Sequence, residues 1–295
     1  MKILFLGYGK VGWHCLNALI KNNILVIGVV PRASDLANVE DDYSIRKLAQ
    51  ELSLPVYKHS DVKQISHSFD RNEVDYLISV QYDRILKDDW LKIPSKETLN
   101  LHLSLLPRQR GCYPTKWAII EEQETGTTLH SVDQGIDTGD ILDQKKASIE
   151  TFDTDKSLYE KLSLEAVELF KRNIINIKKG IFPNRSKQNE SRASYHPKNL
   201  PFNGHWNSSW NLELSDRFFR AFYFPPYPPA LFKINGQIIG LPPPYRVSTS
   251  RTYNPGYFRF LEDGIIEITC ADGILLFNEI WYNGNYISSK EFKQY

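Results

Sequence analysis

Four short, mostly apolar runs separated by segments with helical periodicity constrain the fold of this chain more than any other feature. The runs cover residues 3–6, 25–30, 75–80 and 99–103. Such strands are typical of a parallel sheet with helices on both faces, because neither face of that sheet meets water. Apolar residues at helical spacing in 11–20 and 43–52 predict two covering helices, and residues 55–57 a further short strand. The sequence therefore predicts an α/β fold with a mostly parallel sheet.

The pattern changes in the second half of the chain. Residues 127–132 and 140–148 are predicted as a strand pair, followed by a long helix that Asp153 or Thr154 caps. A short helix is predicted at 215–222, and Asn235-Gly236 predicts a β-hairpin between two apolar runs. We predict three parts, namely a main α/β domain at residues 1–182, a connecting segment at 183–235 with aromatic and proline-rich elements, and a small β-rich domain at 236–295.

Composition and charge exclude several classes of protein. The 295 residues carry a formal net charge of +1, so no global electrostatic attraction to nucleic acid or to an anionic membrane is expected. The cysteines Cys15, Cys112 and Cys270 lie far apart and form neither a metal-binding pair nor a disulfide framework. This usage fits a reducing compartment, and we expect a cytoplasmic protein.

A glycine-rich turn follows the first predicted strand. Gly7, Gly9 and Gly12 match G-x-G-x-x-G, which favours a dinucleotide site. Against this, the second strand is followed by Arg32 rather than by an acidic residue, although an arginine suits a 2′-phosphate. A nicotinamide cofactor and a plain tight turn both stay open. We prefer an anion site at which Tyr8, Gly9 and Lys10 bind a phosphorylated substrate.

Two separate motifs carry the residues best suited to chemistry. Asn100 and His102 are two positions apart, so they share a face of their strand at its carboxyl end, where α/β sheets bind ligands. Asp137 lies between Gly135 and Gly139, which places its carboxylate on a tight loop. The Asp-Thr-Gly triplet also occurs in aspartic proteases, but those enzymes need two such carboxylates, and this sequence has no second Asp-Thr-Gly or Asp-Ser-Gly triplet.

Together the motifs resemble those of the folate-dependent formyltransferases. The shared residues are Asn100, His102, Ser104 to Pro107, Arg110-Gly111 and Gly135 to Gly139, and the resemblance covers most of residues 1–180. It implies that residues 1–182 form a Rossmann-like catalytic domain. It also implies transfer of a formyl group from N10-formyltetrahydrofolate to an amine, without a metal or a covalent intermediate, by a homodimer.

The chemistry of formyl transfer suits these residue types. Asn100 and His102 have N–H groups that can stabilise an oxyanion on the formyl group, and His102 can also take the proton of the attacking amine. Asp137 can orient His102 and relay the proton. Whether His102 acts as base, oxyanion donor or both stays open. The resemblance places the folate against Gln81, Tyr82, Asp83, Arg84, Ile85, Leu86, Asp133, Gly135 and Asp140.

The second half of the chain bears on the accepting amine. Its aromatic and proline-rich segment resembles the sugar N-formyltransferases, most of all the type that acts on dTDP-4-amino-4,6-dideoxyglucose for O-antigen lipopolysaccharide. Aromatic rings there can stack on a base, although a hydrophobic core would need them as well, and Arg220 or Lys10 can neutralise a pyrophosphate. The expected substrate contacts are Tyr8, Gly9, Lys10, Ser104, Arg110, Gly111, Tyr195, Lys198, Arg220, Phe222, Tyr223 and Tyr227.

Other functions stay open on the sequence alone. A terminal β unit with Asp-Gly turns also resembles methionyl-tRNA formyltransferase. A folate-binding module without activity and a nicotinamide oxidoreductase are further alternatives. The sequence does not distinguish a C3 from a C4 amine, or dTDP from GDP.

Overall fold

The computed structural model describes residues 1–35, 43–69, 73–234, 236–250 and 253–292. These residues form two compact units. The first contains residues 1–111, 125–148 and 161–195, and the second contains residues 112–124, 149–160 and 196–295.

The strands and helices of the described residues are numbered in chain order. The strands are β1 (Lys2–Gly7), β2 (Leu25–Pro31), β3 (Tyr76–Val80), β4 (Glu97–His102), β5 (Arg110–Gly111), β6 (Thr125–Ser131), β7 (Ile141–Ala147), β8 (Tyr195–His196), β9 (Ala230–Ile234), β10 (Gln237–Leu241), β11 (Arg246–Ser248), β12 (Phe258–Phe260), β13 (Ile266–Thr269), β14 (Ile274–Phe277), β15 (Glu279–Tyr282) and β16 (Asn285–Ser288). The α-helices are α1 (Gly9–Lys21), α2 (Ile45–Glu51), α3 (Val62–Ser68), α4 (Asp88–Leu91), α5 (Pro114–Glu121), α6 (Asp155–Lys178), α7 (Leu212–Ala221) and α8 (Ser289–Phe292).

The first unit is built on a six-stranded sheet in the order β2-β1-β3-β4-β6-β7. Strands β2, β1, β3 and β4 are parallel, whereas β6 and β7 are antiparallel to their neighbours. The four parallel strands are those with mostly apolar sequences, and β1 and β3 have almost no exposed residues. The predicted α/β fold with a mostly parallel sheet is thus confirmed.

This unit differs from the predictions at residues 55–57 and at two short helices, α3 and the four-residue α4, which were not predicted. Residues 55–57 form no strand of their own, and Val56 makes only an isolated parallel bridge to Val29. Helix α3 was not predicted, because Ile65 is its one buried residue and a single apolar position produces no periodicity.

The position of β4 in the sheet decides what surrounds the two polar residues that it carries. Asn100 of β4 is aligned with Ser79 on parallel strand β3 and with His130 on antiparallel strand β6. His102, the last residue of β4, is aligned with Thr128. Residues far apart in the sequence are thereby brought together.

The second unit contains antiparallel sheets and helices. Its sheets have the orders β16-β15-β10-β9 and β11-β14-β13-β12, which confirms the predicted β-rich C-terminal region. Strands β9 and β10 pair in the register of the predicted hairpin, and Asn235 of its turn lies outside the described residues. Helix α7 begins earlier than predicted, because the side chain of Asn211 accepts a hydrogen bond from the Leu214 N–H and caps it.

No helix of the described residues is both long and apolar enough to cross a membrane.

Candidate active site

His102 is held in one orientation by the turn that follows β4. Its Nε2 lies 2.9 Å from the carbonyl oxygen of Gln109, and the imidazole is 8% exposed. Because a carbonyl only accepts hydrogen bonds, Nε2 must carry a hydrogen. In the neutral imidazole, Nδ1 therefore has the free lone pair, and this nitrogen lies 3.8 Å from Asp137 Oδ2.

Asp137 lies on the loop between β6 and β7 in a left-handed backbone conformation, with φ at 54°. Its Oδ2 accepts a hydrogen bond of 2.8 Å from the Gly111 N–H. Its Oδ1 lies 3.4 Å from Asn100 Nδ2 and 3.5 Å from His130 Nε2. The side chain is 13% exposed, so the carboxylate is enclosed among polar partners.

The surroundings of Asp137 favour its charged form. Burial alone would raise the pKa of the carboxyl group, but the charge of a protonated His102 and the hydrogen bond from the Gly111 N–H are among the contributions that outweigh burial. The pKa of Asp137 therefore lies well below its ordinary value, and the group is a carboxylate at neutral pH.

His130 is a site residue that the sequence did not single out. It is 1% exposed, and its Nδ1 donates to the Ser131 carbonyl at 2.7 Å. In the neutral ring its Nε2 then accepts from Asn100 Nδ2, which lies 3.0 Å away. His130 thus fixes which end of the Asn100 amide faces Asp137. Only the strand register reveals this pair, since the residues are 30 positions apart.

The loop around Asp137 needs its two glycines for packing. A Cβ on Gly139 would lie 2.0 Å from the Ser131 carbonyl oxygen, and one on Gly135 would lie 2.1 Å from Thr138 Oγ1. Asp133 accepts hydrogen bonds from the Gly135 N–H at 2.9 Å and from Thr138 Oγ1 at 2.5 Å. The loop is therefore closed on itself, and Asp137 projects from it toward β4.

Comparison with known proteins identifies the family of this arrangement. A profile described as formyl transferase matches residues 1–174, more than half of the chain. The chain belongs to the formyl transferase family.

Three relatives show how far the likeness extends. GDP-perosamine N-formyltransferase of Brucella melitensis is 32% identical over 244 residues, which cover 82% of this chain and 92% of that protein. Methionyl-tRNA formyltransferase of Geobacter metallireducens is 29% identical over 303 residues, covering 99% of this chain and 94% of that protein. The structure of an N-formyltransferase from Helicobacter canadensis, in complex with folinic acid and dTDP-3-aminofucose, aligns with a TM-score of 0.74 at 25% identity, covering 94% of this chain and 98% of that chain.

Six of the nine expected folate contacts of this formyl transferase, residues 81–86, follow β3, and the other three follow β6. Gln81 has a φ of 55°, and the hydroxyl of Tyr82 lies 3.1 Å from His59 Nδ1. Burial, with a smaller contribution from Asp83, raises the pKa of Tyr82 to about 12. Arg84 is exposed and Leu86 is buried. The expected residue Asp140, immediately before β7, accepts hydrogen bonds from Ser131 through its backbone carbonyl.

A cavity of about 390 Å³ lies beside this segment in the same unit. It is lined by Ile85, Leu86, Lys87, Asp88, Leu91 and Gln134. Ile85 is 63% exposed, an unusual position for an isoleucine, and Gln134 belongs to the Asp137 loop. The cavity therefore joins the two segments that the resemblance assigns to the folate.

The glycine-rich turn has contacts of its own. Gly9 has a φ of 60°, and the guanidinium of Arg32 lies 4.7 Å from the centre of the Tyr8 ring. Arg32 Nε also pairs with Asp83 at 2.7 Å, so this arginine is engaged by the protein itself. The amine of Lys10 lies 5.5 Å from the centre of the Tyr43 ring.

Arg110, expected to bind substrate, is held by protein groups. Four of the five N–H donors of a guanidinium are occupied here by Gln188 and Glu190, at 2.7–3.0 Å, and the residue is 6% exposed. At most one donor is left for a ligand. Ser104 is fully buried and donates to the Arg108 carbonyl at 2.7 Å. The N–H of Gly111 binds Asp137, as described above.

The remaining expected substrate contacts lie in the later part of the chain. Tyr195 belongs to the first unit and is 54% exposed. Lys198, Tyr223 and Tyr227 belong to the second unit, where Lys198 is exposed, Tyr223 is half-buried and Tyr227 is 49% exposed.

Two further expected contacts are built into the second unit. Phe222 is 4% exposed and packs at 4.6 Å between ring centres against Phe218, so it serves the core. Arg220 pairs with Asp216 at 2.7 Å and donates to the Asp153 carbonyl at 2.9 Å. Two of the five N–H donors of its guanidinium are thus used within the unit.

Among the described residues, no group of three or more His, Cys, Asp or Glu side chains is arranged to hold a metal ion.

Proposed function

We propose that this formyl transferase is a sugar N-formyltransferase, which moves the formyl group of N10-formyltetrahydrofolate onto the amine of a nucleotide-linked amino sugar. The observation that carries the proposal is the orientation of His102. Its Nε2 is tied to the Gln109 carbonyl, and its Nδ1 is left with a lone pair beside the Asp137 carboxylate. An imidazole in this state is prepared to accept a proton at one defined atom.

The reaction requires the amine to lose a proton as its nitrogen bonds to the formyl carbon. The folate supplies that carbon, and the bond between the carbon and N10 breaks. His102 takes the proton from the amine at Nδ1 and is then able to return it to N10, so that protons balance. The geometry favours the role of base over that of oxyanion donor in the neutral imidazole, because its one N–H is used by Gln109.

Asp137 stabilises His102 after the proton has been taken. The carboxylate lies 3.8 Å from Nδ1, close enough to attract the imidazolium. The low pKa of Asp137 keeps this charge present at neutral pH. The carboxylate is further held by the Gly111 N–H at 2.8 Å, so it does not have to reorient during the reaction.

Asn100 is the donor for the negative charge that develops on the formyl oxygen. Its Nδ2 is shared between His130 at 3.0 Å and Asp137 at 3.4 Å. The second distance is long for a hydrogen bond, so that N–H is the one that can turn to the formyl oxygen. His130 retains the other and holds the amide in place.

We assign the folate to the cavity beside Ile85. Exposed apolar surface next to a polar loop suits a flat heteroaromatic ring system, which needs stacking surface and a few polar contacts. Ile85 and Leu86 would supply the apolar wall, and the Gln134 amide would supply polar contacts. The Helicobacter canadensis relative was crystallised with folinic acid, a formylated folate, which supports a folate as the formyl donor.

We propose dTDP-4-amino-4,6-dideoxyglucose as the acceptor. We further propose that the enzyme is a homodimer and that it serves the synthesis of O-antigen polysaccharide. Two relatives support the substrate class, since one is a GDP-perosamine N-formyltransferase and another was solved with dTDP-3-aminofucose. Among the expected base-stacking residues, Tyr227 retains an exposed ring and Tyr223 a partly exposed one. The preference for dTDP and for a C4 amine rests on the sequence resemblance.

A second candidate is methionyl-tRNA formylation. The Geobacter metallireducens enzyme aligns with 99% of this chain, including the C-terminal sheets. The net charge of +1 opposes it, because tRNA binding depends on a positively charged surface.

One experiment separates these candidates. The protein is incubated with N10-formyltetrahydrofolate and, in turn, dTDP-4-amino-4,6-dideoxyglucose, dTDP-3-aminofucose, GDP-perosamine and methionyl-tRNA, and each product is analysed by mass spectrometry. His102→Asn protein provides the enzyme blank. We expect one added formyl group on the dTDP-4-amino sugar. Formylation of GDP-perosamine or of the C3 amine would correct the acceptor, and formylation of tRNA alone would replace the proposal with the second candidate.

A further inference from the structure

Gln188 lies outside the motifs of the family resemblance, yet both ends of its side-chain amide form hydrogen bonds beside the candidate site, one to the Asp137 loop and the other to Arg110. Its Nε2 donates to the Asp137 carbonyl at 2.7 Å and to the Gly139 carbonyl at 2.8 Å. Its Oε1 accepts from Arg110 Nε at 3.0 Å and from Nη2 at 2.8 Å. Both hydrogens and both lone pairs of the amide are therefore used.

Arg110 fixes which way this amide points. The guanidinium is 7% exposed, and it is in turn held by the two carboxylate oxygens of Glu190 at 2.7 and 2.9 Å. Because a guanidinium only donates, it selects the oxygen end of the Gln188 amide and leaves the nitrogen end for the loop. Gly111, next to Arg110, donates its N–H to the Asp137 carboxylate.

The left-handed backbone conformation of Asp137 must be stabilised by contacts with other residues. A residue other than glycine adopts a φ of 54° only at an energetic cost, and such a conformation persists when its surroundings determine it. Gln188 binds the carbonyl of Asp137 itself and that of Gly139, so it fixes the loop on both sides of Thr138. If Asp137 relaxed to negative φ, its side chain would no longer point toward His102.

We propose that Gln188, oriented by Arg110, is a positioning residue that holds Asp137 in its left-handed conformation and thereby keeps the carboxylate beside His102. This inference rests on the proposed function, in which Asp137 stabilises the protonated His102. Glutamine is suited to the task because one nitrogen carries two N–H groups for two carbonyls. A glutamate at 188 would pair with Arg110 as well but would have no hydrogens for the loop.

The test uses two variants of the full chain and one control. Gln188→Leu removes the whole amide function. Gln188→Glu keeps the acceptor for Arg110, removes the two donors and adds a negative charge that faces the carbonyls of Asp137 and Gly139. Gln64→Leu is the control, since Gln64 is an exposed glutamine on α3. Steady-state kcat and both KM values are measured for each protein, together with the melting temperature.

We expect kcat to fall about 10- to 100-fold in both Gln188 variants with little change in either KM, since a misplacement of about 1 Å can cost 10²-fold. In the background of Asp137→Asn, either variant should lower kcat less than about twofold further, because residues that act through one another are not additive. A kcat within threefold of wild type, or the same loss in both backgrounds, would overturn the inference.

A crystal structure of Gln188→Glu separates this inference from the proposed function. We expect Asp137 to adopt negative φ, with its carboxylate farther from His102 than the present 3.8 Å. An Asp137 that keeps its φ and this distance would overturn the inference whatever the activity. Unchanged kcat in Asp137→Asn alone would instead refute the role of Asp137 in the proposed function.

Discussion

Replacement of Asp137 by asparagine tests the charge at the centre of the site with almost no change in shape. The asparagine can still accept the Gly111 N–H that Oδ2 accepts now at 2.8 Å. Its other end would present an NH₂ group to Asn100 Nδ2, so two donors would face each other where a 3.4 Å hydrogen bond stands now. The negative charge beside His102 is lost.

The magnitude follows from the distance between the two groups. At 3.8 Å and an effective dielectric constant of ~20, a carboxylate and an imidazolium attract each other by about 4 kcal/mol. If this attraction is made only once His102 is protonated, its loss corresponds to a fall in kcat of about 10³-fold. We therefore expect a kcat loss of about 10²- to 10³-fold with smaller effects on KM, measured under steady-state conditions.

The Asp137→Asn substitution should also change how the stability of the protein depends on pH. The pKa of Asp137 in the folded protein lies below its ordinary value of 3.8, so the carboxylate stabilises the fold at neutral pH. This stabilisation of the fold is lost as the pH falls below 3.8 and then through the lower pKa that Asp137 has in the folded protein. We expect urea unfolding to show Asp137→Asn destabilised by about 1–3 kcal/mol at pH 7, with the difference from wild type narrowing below pH ~4.

Asp61→Asn is the matched control for both measurements. Hydrogen bonds from the Lys58 backbone and from Ser60 lower the pKa of Asp61, but its carboxylate is exposed, and no hydrogen bond or ion pair found in the described part of the chain joins it to a histidine. This variant should keep the kcat of wild type. If Asp137→Asn retains kcat within fivefold of wild type, the carboxylate has no role in the proton transfer.

Three further predictions follow from the structure. His102→Asn should lower kcat by about 10²- to 10⁴-fold, the usual contribution of a general base, and a near wild-type rate would exclude it as the base. Lys116→Met should lower the free energy of unfolding by about 3–5 kcal/mol, because buried Asp155 loses its cationic partner at 2.6 Å and keeps only the hydrogen bond from Thr115 on its other oxygen; the double variant with Asp155→Leu should recover part of this loss in urea titrations. NADPH should not raise the melting temperature, since Arg32 is engaged by Asp83, and a clear shift would return the glycine-rich turn to a nicotinamide site.

The parallel strands and the three catalytic candidates could be found from the sequence because each leaves a local signal. Strands β1 and β2 were located to within one residue at each end, since a buried strand is apolar throughout. Asn100 and His102 share a strand, and Asp137 is bracketed by glycines that the loop needs for packing. These features depend only on neighbours in the chain.

The supporting residues could not be found in this way because their partners are distant in sequence. His130 acts through its register with Asn100, and Gln188 reaches a loop 51 residues before it from the predicted connecting segment at 183–235. Helix α5 was missed because Tyr113 precedes it in a left-handed conformation without a capping side chain. Its buried apolar residues Ala118, Ile119 and Ile120 are consecutive, so they show no helical period.

The discontinuous second unit has a consequence for engineering the acceptor. It takes residues 112–124 and 149–160 from the middle of the chain, and Lys116 within them binds both Asp155 and the Ala221 carbonyl. A chimera joined at residue 196 would import α7 from one parent and keep α5 from the other. Grafts meant to exchange sugar preference between relatives should therefore carry residues 112–124, 149–160 and 196–295 together. Otherwise the core of the second unit would combine side chains from two parents that do not pack together.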